Sequence, residues 1–151
     1  MAITLGYDGK QRAININKGD SVTAIPTLYV GLLQTEVTDM DAMTLSTLTH
    51  PSNGNEFSIS PNFYTGRKVI TMSIATTDTT GSYSANNNVA PIEWTNNTGV
   101  AIEVEAFFIT DVASGGAGQV LWVGVPDAGT ATINDSAKAI LNAGDLIIRI
   151  D

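Results

Sequence analysis

Thr, Val and Ile supply 45 of the 151 residues. These β-branched side chains lose freedom in a helix and pack well on a pleated sheet. Lys, Arg and Glu, which build exposed helix faces, are scarce. Turn signals interrupt the chain at short intervals: Asp8-Gly9, Lys18-Gly19-Asp20, Asn53-Gly54, Thr80-Gly81, Asn97-Thr98-Gly99, Ser114-Gly115-Gly116, Asp127-Ala128-Gly129 and Asn142-Ala143-Gly144-Asp145. Many short strands so punctuated predict an all-β domain, an antiparallel sandwich or barrel.

The strands show period two. In residues 69–74, Ile70, Met72 and Ile74 point one way, Thr71 and Ser73 the other. Residues 146–151 repeat this with Leu146, Ile148 and Ile150 inward, and predict a last strand paired to its end. In residues 102–109 the set Ile102, Val104, Ala106 and Phe108 is expected to be buried. The opposite face starts wet at Glu103 and Glu105 and turns dry at Phe107 and Ile109. Phe107 and Ile109 are therefore candidate interface residues. The segments 120–125 and 28–33 read as strands covered on both faces, the outer cover being a second sheet or a neighbouring subunit. Ala90, Ile92 and Trp94 form another inward set, with Pro91 confining that strand to an edge or a bulge. One stretch breaks the rhythm: Met40, Met43 and Leu48 stand at near-helical spacing behind Asp39 and Asp41, which suit a helix N-terminus. It predicts one short helix ending before His50-Pro51, its methionines in the core.

At this length the chain is one domain that buries roughly 68–70 % of its unfolded surface, so packing alone suffices for stability. Cysteine is absent and His50 is the only histidine. That removes disulfides, thiolate chemistry and metal sites built on Cys or clustered His. Seven basic against fifteen acidic residues give a net charge of −8, which disfavours nucleic acid and anionic membranes. The basic residues are uneven, with Lys10, Arg12 and Lys18 near the start. They are either solvated charges on edge strands or a basic arm that docks on an acidic surface. The N-terminus lacks a signal-peptide pattern and no window is apolar enough to span a membrane, so a soluble protein made in a cytoplasm is expected.

Catalytic readings are weak. His50 sits beside Pro51 in a Ser/Asn/Gly-rich loop and reads as solvated. Glu103/Glu105 and Asp39/Asp41 are the candidate acid pairs for glycoside hydrolysis, but pairs on an open strand face lack a cleft and read as exposed charges. The Asn86-Asn87-Asn88 run and the Asp39/Asp41 pair lack the staggered spacing of a calcium loop. The loop Gly115-Gly116-Ala117-Gly118 has no following Lys-Ser/Thr and leads into a strand, unlike a phosphate loop. Both glycosylation-like triplets, Asn96-Asn97-Thr98 and Asn134-Asp135-Ser136, read as turns. Phe63 and Tyr64, in the loop at residues 61–66, are candidate exposed rings and interface anchors. No enzyme, cofactor or metal is expected.

Six stretches in order carry a resemblance: Leu28-Tyr29-Val30-Gly31-Leu32-Leu33; the helical turn running into Leu45-Ser46-Thr47-Leu48-Thr49-His50-Pro51-Ser52-Asn53-Gly54; Ala90-Pro91-Ile92-Glu93-Trp94 with Thr98-Gly99; Phe108-Ile109-Thr110-Asp111 with Ser114-Gly115-Gly116; Leu121-Trp122-Val123-Gly124; and Ala143-Gly144-Asp145-Leu146-Ile147-Ile148-Arg149-Ile150-Asp151. With these, residues 28–151 resemble small tailed-bacteriophage virion proteins, which are capsid decoration (cement) proteins and modules of tail fibres. The resemblance implies a jelly-roll-like β-sandwich that assembles on the virion as an oligomer without doing chemistry. Residues 1–27 lie outside it, as extra strands or as an arm onto a neighbour. Tail-fibre versions are usually part of a much longer chain, so a chain ending with the module favours decoration.

The expected function is a capsid decoration protein on the virion surface that binds the major capsid protein and itself. A trimer is expected because capsid surfaces offer threefold gaps. The alternative is a tail-fibre or receptor-binding module that touches host polysaccharide through Phe63 and Tyr64. An enzyme acting on cell-wall sugars through Glu103 is a third, lesser reading.

Overall fold

The computed structural model describes residues 2–21, 25–35, 39, 42–49, 56–72, 76–77, 83–86, 91–145 and 147–150. Met40, Asp41, His50, the turns Asn53-Gly54 and Thr80-Gly81, Ile74, Asn87, Asn88, Ala90, Leu146 and Asp151, all used in the sequence reading, lie outside those residues. The elements in chain order are β1 (Ala2–Leu5), α1 (Tyr7–Asn17), β2 (Leu28–Leu33), α2 (Leu45–Leu48), β3 (Lys68–Ile70), β4 (Thr76–Thr77), β5 (Tyr83–Asn86), β6 (Ile92–Thr95), β7 (Ile102–Val104), β8 (Ala106–Thr110), β9 (Val120–Val125), β10 (Ala131–Ile133), β11 (Lys138–Leu141) and β12 (Ile147–Ile150). The protein is β-rich, and every ladder among the described residues is antiparallel.

The largest sheet has the order β1-β9-β8-β2-β3; β10-β7, β11-β6 and β12-β5-β4 are smaller ladders. β2, β8 and β9 lie inside the five-stranded sheet, and their sequences are accordingly apolar on both faces. One face carries Val30, Leu32, Phe107 and Ile109. It packs with Ile92 and Trp94 of β6, Val104 of β7 and Leu141 of β11 in one apolar cluster. The other face carries Leu33, Ala106, Phe108, Val120 and Val123, covered by Leu45 and Leu48 of α2 with Met43 and Val112 beside them. The outer cover of β9 is thus the chain's own helix. Gly31 makes room for the Phe108 ring within the sheet. A Cβ there would lie 2.5 Å from two ring atoms of Phe108, its cross-strand partner, and 2.8 Å from the Tyr64 hydroxyl.

Two irregularities reset the strand parity. Residues 102–110 are two strands, not one, because Glu105 leaves its strand and donates its N–H to the Leu33 carbonyl at 3.0 Å. Val104 therefore shares a core with Phe107 and Ile109, while Ala106 and Phe108 face the opposite one. The expected grouping of Ile102, Val104, Ala106 and Phe108 on one face is corrected. The second reset is a bulge in β9, where Ile109 pairs with Trp122 but Thr110 pairs with Val120, leaving Leu121 as the extra residue.

There are two helices among the described residues instead of one. α2 starts six residues later than Asp39, at a capping box in which Thr44 and Thr47 satisfy each other's backbone N–H groups. Met43 and Leu48 pack in the core as expected. α1 is a second, unanticipated helix, and it carries Lys10 and Arg12, so the reading that put them on edge strands is corrected. Its Gly, Asn and Ile residues are poor helix formers; docking on β9 decides its conformation.

Where burial is described, the other period-two expectations hold, while the inward set of residues 146–151 lies outside the residues whose burial is described. Ile70 is buried and Val69 exposed, Met72 packs half-buried against the first core, and Ile92 and Trp94 are both buried. β6 has β11 as its ladder partner, so Pro91 precedes an edge strand. The C-terminal strand pairs with β5 through Ile150.

Candidate functional site

Burial rearranges the expected site. Phe107 is 6 % exposed and Ile109 0 %, so neither is an interface residue: both are core side chains under the β6–β11 ladder. The strand switch at Glu105 turns them inward. Phe63 and Tyr64 are 3 % and 1 % exposed, not loop-borne rings in solvent. Phe63 packs edge-on to Phe57 with centroids 5.2 Å apart, and Tyr64 stacks on Trp94 at 6.2 Å. A glycan contact through these two rings is therefore withdrawn.

Tyr64 belongs to a polar network that the sequence did not signal. The Arg67 side chain, 1 % exposed, donates from Nε and Nη2 to the two carboxylate oxygens of Glu56 at 2.9 and 2.8 Å. It also donates to the carbonyls of Val112 (3.2 Å) and Gly115 (2.8 Å), and lies 5.1 Å from the Phe108 ring centre. The Tyr64 hydroxyl donates to Glu56 Oε1 at 2.7 Å. Burial foremost, then the adjacent carboxylate, pushes the Tyr64 phenol far above its ordinary range. Such a bidentate pair with its remaining donors on backbone holds three segments together. One of them is the Gly115-Gly116-Ala117-Gly118 loop, which offers a carbonyl to Arg67 and seats Gly116 against Thr49 and Ser46 of the α2 region.

A second buried polar residue, Asn96, is 0 % exposed. Its Nδ2 donates to the carbonyls of Val100 and Ile133, both at 2.8 Å, and its Oδ1 accepts from the Thr98 N–H and hydroxyl. Asn96-Asn97-Thr98 is thus a turn, completed by Gly99 at φ 81°. Among the described residues no buried side-chain N or O lacks a hydrogen-bond partner.

The candidate acid pairs do not converge. Glu103 is exposed on β7, while Glu105 sits at the strand break and accepts from Thr130 Oγ1 at 2.6 Å. Asp39 is exposed and Asp41 lies outside the described residues. Among the described residues no group of three or more His, Asp or Glu side chains is placed to hold a metal ion.

Among the described residues are two apolar hollows. One, of about 340 Å3, opens between the five-stranded sheet and β10 and β11, with Phe107, Trp94 and Leu32 at its floor and Ile140 and Lys138 at its rim. Lys138 is ion-paired with Glu93 there. The other, of about 310 Å3, lies beside α1 and is lined by Ala13, Ile16, Ile25, Leu28, Leu121 and Trp122 together with Arg12.

Of the expected basic residues, Lys10 and Arg12 are half-buried on α1, and Lys18 is its exposed C-cap, 3.1 Å from Asp20. Arg12 Nη1 donates to Gln119 Oε1 at 3.5 Å. The structure thus brings Lys10, Arg12 and Lys18 onto one helix, apart from the aromatic core. Ile14 and Ile16 of the same helix are 58 % and 61 % exposed. Neither the family models nor the curated proteins compared with this chain contain a match.

Proposed function

We propose that this chain is a structural virion protein of a tailed phage: a capsid decoration protein that associates with itself and with the major capsid protein on the head surface, built on a jelly-roll-like sandwich. The support is the way the interior uses its polar side chains. Arg67, Glu56, Tyr64 and Asn96 direct their hydrogen bonds at one another and at backbone, so they stiffen the fold. Several of the stretches that carry the resemblance contribute to this frame: β2, α2, β6 with its Asn96 turn, β8 with the Arg67-held loop, and β9. A rigid module of this kind acts through its surface, and many copies on a shell let modest contacts add through high effective concentration.

The surfaces that serve contact are the exposed aliphatic residues of α1 and the Ile140 rim of the hollow above Phe107. A trimer on threefold positions suits this use.

The deciding experiment is a particle reconstruction, or gold labelling of virions with antibody against the purified chain. Density or label spread over the head supports decoration. Label confined to the tail tip, or absent from intact virions, overturns it.

A further inference from the structure

The first two elements form one unit docked on one strand. Outside their contact with each other, the substantial contacts of β1 and α1 are with β9. β1 is the terminal strand of the five-stranded sheet and pairs in register with β9, Ala2 opposite Val125 and Thr4 opposite Val123. The joint to α1 is specific: the Gly6 N–H donates to the Leu121 carbonyl at 2.9 Å, and the Asp8 carboxylate accepts from the Val120 N–H at 2.9 Å. Cβ atoms at Gly6 and Gly9 would fall 2.6 and 2.2 Å from the carbonyl oxygens of Val120 and Leu121. The bulge at Leu121 is what presents those backbone groups.

Three features mark this unit as separable. It lies outside the residues 28–151 that carry the resemblance. It is joined to β2 by residues 18–27, of which Lys18, Gly19, Asp20, Ser21 and Pro26 are exposed, and a ten-residue segment reaches roughly 33 Å when extended. It fills its seat incompletely, leaving the 310 Å3 hollow beside α1 and the last-turn residues Ile14 and Ile16 exposed. Its charge differs as well: residues 1–21 hold three basic and two acidic side chains, whereas residues 22–151 hold four basic and thirteen acidic. A slightly positive arm is attracted to a strongly negative body, whether its own or another's.

We propose that β1–α1 is an exchangeable arm, and that in the assembled protein it docks on β9 of a second copy of this chain. Each of these contacts with β9 forms identically within one chain or between two. The linker and the local concentration choose between them, and crowding of copies on a shell raises the second. This rests on the self-association in the proposed function. In either arrangement β1 closes the edge of β9, a Val-Leu-Trp-Val-Gly-Val strand that would aggregate if left bare.

The chain has no cysteine, so disulfides report the pairing directly. Co-expressed, differently tagged copies carrying Ala2→Cys and Val125→Cys are oxidised and run without reductant, alongside sedimentation of the wild-type chain at micromolar concentration. Thr4→Cys with Val123→Cys tests the same register should the first pair fold poorly. Exchange predicts an oligomer whose main covalent product joins the two tags. An oligomer without the mixed disulfide, in which the double variant Ala2→Cys/Val125→Cys closes within one chain, overturns the exchange and leaves self-association standing. A monomer overturns self-association itself.

Discussion

Arg67→Met tests whether the buried polar network holds the two cores together. Methionine keeps the length and apolar contact of the side chain but removes the guanidinium. Four hydrogen bonds then go: two to Glu56 and one each to the carbonyls of Val112 and Gly115. The Glu56 carboxylate, 14 % exposed, keeps the Tyr64 hydroxyl as a donor. Breaking a buried pair by removing one partner costs about 3–5 kcal/mol. Glu56's partial exposure pulls the cost toward the lower end, and the two lost backbone bonds, about 1 kcal/mol each, push it back. Glu56→Gln strands the more deeply buried Arg67 charge, and its cost falls in the same range of about 3–5 kcal/mol. Because both variants break one unit, the double variant costs less than the two together by about 1–3 kcal/mol. Urea unfolding at neutral pH, followed by the fluorescence of buried Trp94, measures all four proteins. An Arg67→Met cost under about 1 kcal/mol, or a double variant additive within about 0.5 kcal/mol, refutes the reasoning.

Three further outcomes follow from the geometry. Gly31→Ala drives a methyl into the Phe108 ring and the Tyr64 hydroxyl; it lowers stability by about 1–3 kcal/mol, and an unchanged melting temperature would contradict the close approach of that ring and hydroxyl to Gly31. Phe107→Asp places a charge in the core and abolishes the fold, read as loss of the β circular-dichroism signal; a native spectrum would return Phe107 to the surface. Tyr64 holds its proton more tightly when folded than its ordinary value of about 10. Its contribution is therefore complete below pH ~10 and lost as pH rises beyond it. Tyr64→Phe costs about 1 kcal/mol at neutral pH and flattens the alkaline loss of stability; an identical alkaline profile in wild type and variant would rule out this residue as its source.

Legibility in the sequence follows the range of the interaction. Period two places Ile70, Ile92 and Trp94 inward because alternation is a property of neighbouring residues. Apolar runs at 28–33 and 120–125 mark covered strands for the same reason. A single strand break resets the alternation: with Glu105 out of its strand, one residue's shift carries Phe107 and Ile109 from an expected outer face to the core. Arg67 and Glu56 stand 11 residues apart with no shared pattern, and their pairing appears only when β3 folds against the loop before it.

The residues by themselves determined the strand-rich antiparallel fold, the absence of any thiol chemistry and the acidic character of the protein, since each depends on composition or local repeat. The tertiary structure alone decided that α1 is helical on β9, that α2 closes the outer face of the sheet, and that Phe63, Tyr64, Phe107 and Ile109 are core. An apolar pattern states which side chains leave water; what covers them is settled by contacts between segments far apart in the chain.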